Sequence, residues 1–383
     1  MSDRPGSALR ALGHDSTRGR LPRRIMMSVD AVGGVWRYAM EVADAIRAVG
    51  VETLFVGFGP EPSAHQRCEA MRIGTLEWFA APLDWMARHE SELDVVADLL
   101  TELSLRHSVD LLHLNLPSQA ASFPAQTPVV VVSHSCVATW FDTVRASGLP
   151  REWLWQKRLN RLGFDRADVV LAPSSSHAAG LVRCYGRIDD LRVVHNGSRN
   201  SGPIMPKKNF VFAAGRWWDE GKNGAVLDQA AAHIRWPVLM AGACDGPNRE
   251  RLAIQHADYR GELSHDQILA LMSTAAIVVS PSIYEPFGLV ALEAACAGAA
   301  LVLADIGTYR ELWDGAAVFA DPRDPAALAR AVNALTNDTE LRAELGQRAR
   351  LRSSEFSIEA QREAVLAAYR QAMRRSPRLT AAE

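Results

Sequence analysis

From Arg23 onward the chain alternates short apolar runs with longer amphipathic stretches. Ile25 to Ser28, Thr53 to Val56, Val109 to Leu114, Val129 to Val132 and Val169 to Ala172 are apolar and rich in β-branched residues. Trp36 to Val49, Glu92 to Arg106 and Glu152 to Leu162 instead space their apolar positions three and four residues apart. The first set predicts strands buried on both faces and the second predicts helices, a rhythm that implies a parallel sheet covered on both sides. Around Arg199 to Lys208 periodicity stops at two prolines and a glycine, which predicts a linker. The rhythm then restarts with Phe210 to Ala214, Val238 to Ala241 and Val278 to Ser280, and three helical patterns follow Asp321. The expected organisation is a loosely held tail over 1–22, an α/β unit over 23–200, a second over 201–355 and a terminal helical segment over 356–383.

Polar residues that interrupt this pattern carry the candidate chemistry. Between Phe287 and Ala304 the only charged residue is Glu293, set among leucines on a predicted buried helical face, where a carboxylate is costly unless paired. Eight positions earlier, Glu285 stands in the loop before that helix. Pro286 suits a first turn and Gly288 allows close backbone approach. The free N–H groups of Phe287, Gly288, Leu289 and Val290 would face outward beside Glu285, a ready site for phosphate or sugar hydroxyls. After the strand at Phe210 comes Gly215-Arg216, with Lys222 six residues beyond Arg216 at a helix start. Two cations and free N–H groups there suit a diphosphate leaving group, with a surface pair in a polar loop as the plainer reading.

In the first unit, the loop after the first strand holds Gly33 and Gly34. They do not form GxGxxG, so a dinucleotide fingerprint is absent, and taken alone they read first as a plain tight turn. His134 follows the strand ending at Val132, where open α/β sheets present binding groups. A loop histidine satisfied by backbone is the alternative. His113, also near a strand end, reads as structural. The segment Arg151 to Arg166 places Trp155, Leu159 and Leu162 at helical spacing among arginines. It suits either an anionic membrane surface or a helix that packs its aromatics inward and solvates its arginines.

Composition narrows the class. A formal charge of −2 over 383 residues provides no global attraction to nucleic acid or anionic membrane. The five scattered cysteines, without CxxC spacing, predict reduced thiols rather than disulfides or zinc. No secretory leader or membrane-spanning run is evident. The expectation is a cytoplasmic protein, at most peripheral to the inner face of the membrane.

The string Glu285-Pro-Phe-Gly-Leu-Val-Ala-Leu-Glu293-Ala closely resembles the glutamate, seven residues, glutamate signature of retaining glycosyltransferases of family 4, the glycosyl transferases group 1. These share the GT-B fold of two doubly wound, Rossmann-like domains facing a cleft, the last helix crossing back to the first domain. The resemblance implies that Glu285 contacts donor-sugar hydroxyls, that the Phe287 to Val290 backbone meets sugar and diphosphate, and that Glu293 holds the ribose. It further implies that Arg216 and Lys222 bind the diphosphate, His134 approaches the donor sugar, the Gly33-Gly34 loop passes near phosphates and acceptor, and backbone near Leu263 reads the base. Asn223 and Thr308 stand where the family commonly has glycine.

The implied activity is retaining transfer of a hexose-type sugar from a UDP- or GDP-sugar to an acceptor hydroxyl, in synthesis of a bacterial polysaccharide, lipopolysaccharide or glycoconjugate. Same-face attack with the leaving phosphate as base is implied as well. The acceptor would be a sugar, a lipid-linked or a small molecule, selected by the first domain. No metal or other cofactor is expected, since arginine and lysine can supply the charge of a divalent ion. Alternatives are a same-fold phosphorylase or epimerase, and a catalytically silent nucleotide-sugar sensor or scaffold.

Overall fold

The computed structural model describes residues 20–375 apart from 124, 125, 146, 200, 201, 203 and 248. Most of the segment read as a tail, and residues 200, 201 and 203 of the linker, therefore lie outside the described residues.

The first sheet comprises β1 (Arg24–Val29), β2 (Glu52–Gly57), β3 (Thr75–Trp78), β4 (Leu111–Leu114), β5 (Val129–Val132), β6 (Val169–Ala172) and β7 (Leu191–Val193). They lie side by side in the order β3-β2-β1-β4-β5-β6-β7, each neighbour parallel. Its helices are α1 (Gly34–Arg47), α2 (Ala64–Ile73), α3 (Asp94–Arg106), α4 (Val137–Trp140), α5 (Leu154–Arg166) and α6 (Ser175–Tyr185). The second sheet comprises β8 (Lys208–Ala214), β9 (Val238–Ala241), β10 (Asp258–Tyr259), β11 (Ala275–Ser280), β12 (Ala300–Ala304) and β13 (Ala317–Ala320), in the order β10-β9-β8-β11-β12-β13, again parallel. With it go α7 (Gly224–Ala231), α8 (His265–Thr274), α9 (Leu289–Cys296), α10 (Gly307–Trp313), α11 (Pro325–Asn337) and α12 (Thr339–Ser353), before the final α13 (Ile358–Arg375).

The apolar runs are continuous because each sheet buries both faces. Ile25, Met27 and Val29 enter one core with α1 and α13, whereas Met26 between them enters the opposite core with Leu54, Leu112 and Val131. In the second sheet Phe212, Leu301 and Leu303 face one core while Val211, Ala213 and Val302 face the other. Alternating side chains along a strand point to opposite faces, and helices cover both here.

Local boundaries shift for identifiable reasons. The first helix starts at Gly34 rather than Trp36, because Gly33, at φ +110°, turns the chain directly into it. The strand expected from Val109 begins at Leu111. Asp110 spends its carboxylate on the backbone N–H groups of Arg23 and Arg24, at 2.7 and 3.1 Å. The α3 helix starts at Asp94, after a 3-10 turn over Glu90–Leu93, rather than at Glu92.

Helix α13 returns to the first sheet, where Val365, Leu366, Ala368, Tyr369 and Ala372 complete a core. There the Tyr369 hydroxyl meets His113 Nδ1 at 2.8 Å and the Tyr38 hydroxyl meets Nε2 at 3.3 Å, so His113 is a buried structural residue. Helix α5 packs Leu159, Asn160, Gly163 and Phe164 inward. Its Arg158 pairs with Glu90 and Arg161 with Asp165, and Arg166 reaches the carbonyls of Phe123 and Thr127. Among the described residues no helix is long and apolar enough to cross a membrane.

Candidate active site

Open α/β sheets bind ligands where strand order reverses, beyond the carboxyl ends of the strands. In the first sheet that point lies between β1 and β4, and in the second between β8 and β11. Each sequence-derived catalytic candidate except His134 follows one of the two switch strands of the second sheet. Arg216 follows β8 and Glu285 follows β11. The glycine loop follows β1, and His134 follows β5, next to β4.

The two halves touch through the glycine loop. Arg216 donates from Nη1 to the Val32 carbonyl at 3.1 Å, and its guanidinium lies so close to Gly33 that a Cβ there would stand 3.4 Å from Nη1. A Cβ on Gly34 would stand 3.4 Å from Leu289 Cδ1 at the start of α9. The loop is braced by Asp30, whose Oδ1 accepts from Val32 N at 2.8 Å; burial raises this carboxyl's pKa, and Arg216 acts in the opposite sense. Arg216 is itself held by Asp219 at 3.5 Å and lies over the Trp218 ring, 5.4 Å from its centroid.

Lys222 and Glu285 form a half-buried pair, Nζ to Oε2 at 2.7 Å. Helix α9 starts from Gly288 at φ +94°, with no side chain capping it. A Cβ on Gly288 would meet Tyr309 Cε1 at 2.7 Å, so packing as well as backbone conformation demands glycine. Glu293, 7% exposed, is held near neutrality. Burial lifts it from the ordinary glutamate value of 4.5 to about 7, with Arg37 of α1 opposing and Glu41 reinforcing the rise. His265 Nε2 lies 3.7 Å from its Oε1, on the first residue of α8, whose Ser264 cap follows Leu263. The structure thus brings the turn that follows Leu263 beside Glu293.

His134 is fixed by a residue that sequence reasoning did not single out. Asn115, just past β4, donates from Nδ2 to the Ser28 carbonyl at 2.6 Å, so its Oδ1 accepts from His134 Nε2 at 2.8 Å. This network protonates Nε2 and leaves Nδ1 with its lone pair. Burial, with His113 and His177 nearby, pushes the imidazole pKa down to about 3, so the ring is neutral. Asp30 and Asn115 share the signal that pointed to His134, a polar residue at the carboxyl end of a central strand. Trp140 and Tyr284 have no such signal: Trp140 Nε1 donates to Asp219 at 3.0 Å, and the Tyr284 hydroxyl meets Thr139 Oγ1 at 2.7 Å. Among the described residues no group of three or more histidine, cysteine, aspartate or glutamate side chains is placed to hold a metal ion.

Residues 32–198 match Glycosyltransferase Family 4 and residues 196–352 match Glycosyl transferases group 1. The glycogen synthase of Mycobacterium tuberculosis (strain ATCC 25618 / H37Rv) is 38% identical over 92% of this chain and 95% of its own length. The chain belongs to glycosyltransferase family 4. Its two parallel-sheet domains are those of a GT-B glycosyltransferase, and solved structures agree on the fold. Sucrose-phosphate synthase (tll1590) from Thermosynechococcus elongatus superposes with a TM-score of 0.74 at 19% identity, over 91% of this chain and 98% of that one. Anabaena Alr3699/HepE in complex with UDP-glucose superposes with a TM-score of 0.69 at 20% identity, over 89% and 98%. The cluster of Arg216, Lys222, Glu285 and the Gly33 loop lies where these two domains meet.

Proposed function

We propose that this glycosyltransferase transfers a hexose, with retention of anomeric configuration, from a UDP- or GDP-sugar to an acceptor hydroxyl. The observation that carries this reading is the convergence of Arg216 and the uncapped α9 N-terminus on the glycine loop across the cleft, with Lys222 paired to Glu285 in the loop before α9. As the sugar C1–O bond to the diphosphate breaks, negative charge grows on the leaving oxygen. Arg216 and Lys222 are preorganised to receive it. The acceptor oxygen bonds to C1 on the face the diphosphate leaves, and its proton passes to a diphosphate oxygen. Glu285 then holds donor-sugar hydroxyls and shares Lys222 with the phosphates, while Glu293 takes the ribose. His134 contributes an uncharged Nδ1 acceptor, suited to a sugar hydroxyl. A glucan product is supported by the relative named glycogen synthase, and a UDP-sugar donor by the structural neighbour that holds UDP-glucose.

Thermal stability against UDP, GDP, ADP and dTDP tests the donor site first. One nucleotide at a hundredfold its Kd should stabilise the protein by about 2.7 kcal/mol. Transfer from the matching sugar nucleotide, followed by NMR of the product's anomeric coupling, then tests retention. Because two side-chain cations supply the charge, EDTA should leave the rate within twofold. No shift with any nucleotide would remove the reading.

A further inference from the structure

Beside the first domain's half of the cleft lies a second cavity, about 60 Å³ in volume, between the loop after β3, the start of α3, the loop after β4 and α5. It adjoins the reaction corner. Leu116 in its wall follows Asn115, which holds His134, and Asp84 in its floor is near enough to Asp30 for their carboxylates to repel. No cationic side chain lines it; its polar groups are the carboxylates of Asp84, Glu90 and Asp94, the hydroxyls of Ser118 and Ser122 and the amide of Gln119. Asp84, 4% exposed, is fixed by Ser118 Oγ donating to Oδ2 at 2.7 Å. Gln119 is 8% exposed and lines the same cavity, and its Oε1 is buried without any hydrogen-bond partner. Buried polar atoms are normally satisfied, so this oxygen marks a place for a donor from outside the chain. Asp94 stands at the rim with no ion partner among the described residues, whereas Glu90 beside it is paired with Arg158. Val96 and Leu159 supply an apolar wall.

Resting on the activity proposed above, we propose that this cavity is an acceptor subsite for an unphosphorylated sugar or cyclitol, and that it selects against phosphorylated acceptors. Its lining, rich in carboxylate oxygens and free of cations, is complementary to hydroxyl donors, and its apolar wall to the C–H face of a ring. The volume holds roughly four water-sized groups, enough for the hydroxyl-bearing edge of one ring. A phosphate monoester carries about −1.5 to −2 at neutral pH. Placed here it would meet Asp84 and Asp94 with no cation in the lining, where Glu90 is already paired with Arg158.

The test uses the full chain and the sugar nucleotide whose nucleotide binds, with matched acceptors: glucose and glucose 1-phosphate, maltose and maltose 1-phosphate, and inositol and inositol 3-phosphate. The neutral member of at least one pair should show kcat/KM tenfold or more above its phosphate. Asp84→Asn should raise the neutral acceptor's KM about tenfold, and Gln119→Leu severalfold, with donor KM unchanged. Asp94→Lys, at an exposed position that does not threaten folding, should narrow the preference about tenfold. Faster transfer to the phosphorylated members, or unchanged acceptor KM in both Asp84→Asn and Gln119→Leu, would each overturn the subsite. Nucleotide binding without transfer to any neutral acceptor would overturn the subsite alone. Failure of every nucleotide to bind would overturn the donor reading and the subsite with it.

Discussion

Arg216 belongs to the second domain yet spends a hydrogen bond on the Val32 carbonyl of the first, which positions its charge over the glycine loop before any ligand arrives. A cation held this way acts on charge that develops during the reaction. Arg216→Ala should therefore lower kcat about 10²- to 10³-fold. Unchanged kcat with only a raised KM would mean uniform binding instead. Glu293 is the second residue whose environment sets its behaviour. With its pKa near 7 rather than 4.5, the folded protein keeps a proton that the unfolded chain releases as pH rises between those values. Stability from this group therefore falls with rising pH across that window, by about 3 kcal/mol in all, and is flat below it. Glu293→Gln should abolish that slope in urea titrations at pH 5 and 7.5; an unchanged slope would place the buried proton elsewhere. If the carboxylate accepts ribose hydroxyls, nucleotide binding at pH 6.5 selects the ionised form. Calorimetry in buffers of different ionisation enthalpy should then show proton release that the glutamine variant lacks.

At the scale of elements, the junction of β11 and α9 concentrates the site's constraints. Gly288 occupies positive φ and abuts Tyr309, whose hydroxyl bonds Ser280 at the end of β11. Gly288→Ala should destabilise the fold by about 1–3 kcal/mol from backbone strain alone, read as a lower Tm without ligand. An unchanged Tm would show that the loop adapts freely. This junction was legible in the sequence because glycine, proline and a lone carboxylate break an apolar pattern there. The central strands were legible for a related reason, since burial on two faces leaves an unbroken apolar run. The edge strands β3, β7, β10 and β13 were not: each is two to four residues long and mostly half-buried or exposed, so pairing rather than pattern makes them strands. Asn115 carried the local signal of a polar residue at a strand's carboxyl end, but its role in fixing His134 depends on β4 lying beside β5, which is a fact of topology. Trp140 and Tyr284 escaped notice for a stronger version of that reason, since their partners lie in the other domain.

For the whole molecule, those interdomain contacts define how the cleft is held. Ser174 Oγ donates to the Pro286 carbonyl at 2.6 Å, directly beside Glu285. Glu311 of α10 reaches across to the first domain, where its two carboxylate oxygens accept from Ser175 N at 2.8 Å and Ser176 N at 2.7 Å. A carboxylate on the first N–H groups of α6 satisfies orphan donors and complements the helix dipole, an interaction of about 1.5–3 kcal/mol for a charged acceptor. The proposed donor site draws on both domains, because Gly33 and Arg216 come from opposite sides. Any loss of closure therefore subtracts from donor affinity through the fraction of molecules that are closed. Glu311→Ala touches none of the groups assigned to the donor. It should nonetheless weaken nucleotide binding about tenfold, the equivalent of 1.4 kcal/mol, and widen the small-angle scattering profile of the free protein. Saturating nucleotide should restore the wild-type profile, because ligand and clasp stabilise the same closed state. Weakened binding with an unchanged free profile would instead assign Glu311 to local support of α6. Unchanged binding would show that the remaining contacts, among them Trp140 to Asp219, Tyr284 to Thr139, Ser174 to Pro286 and Arg216 to Val32, suffice to hold the domains together.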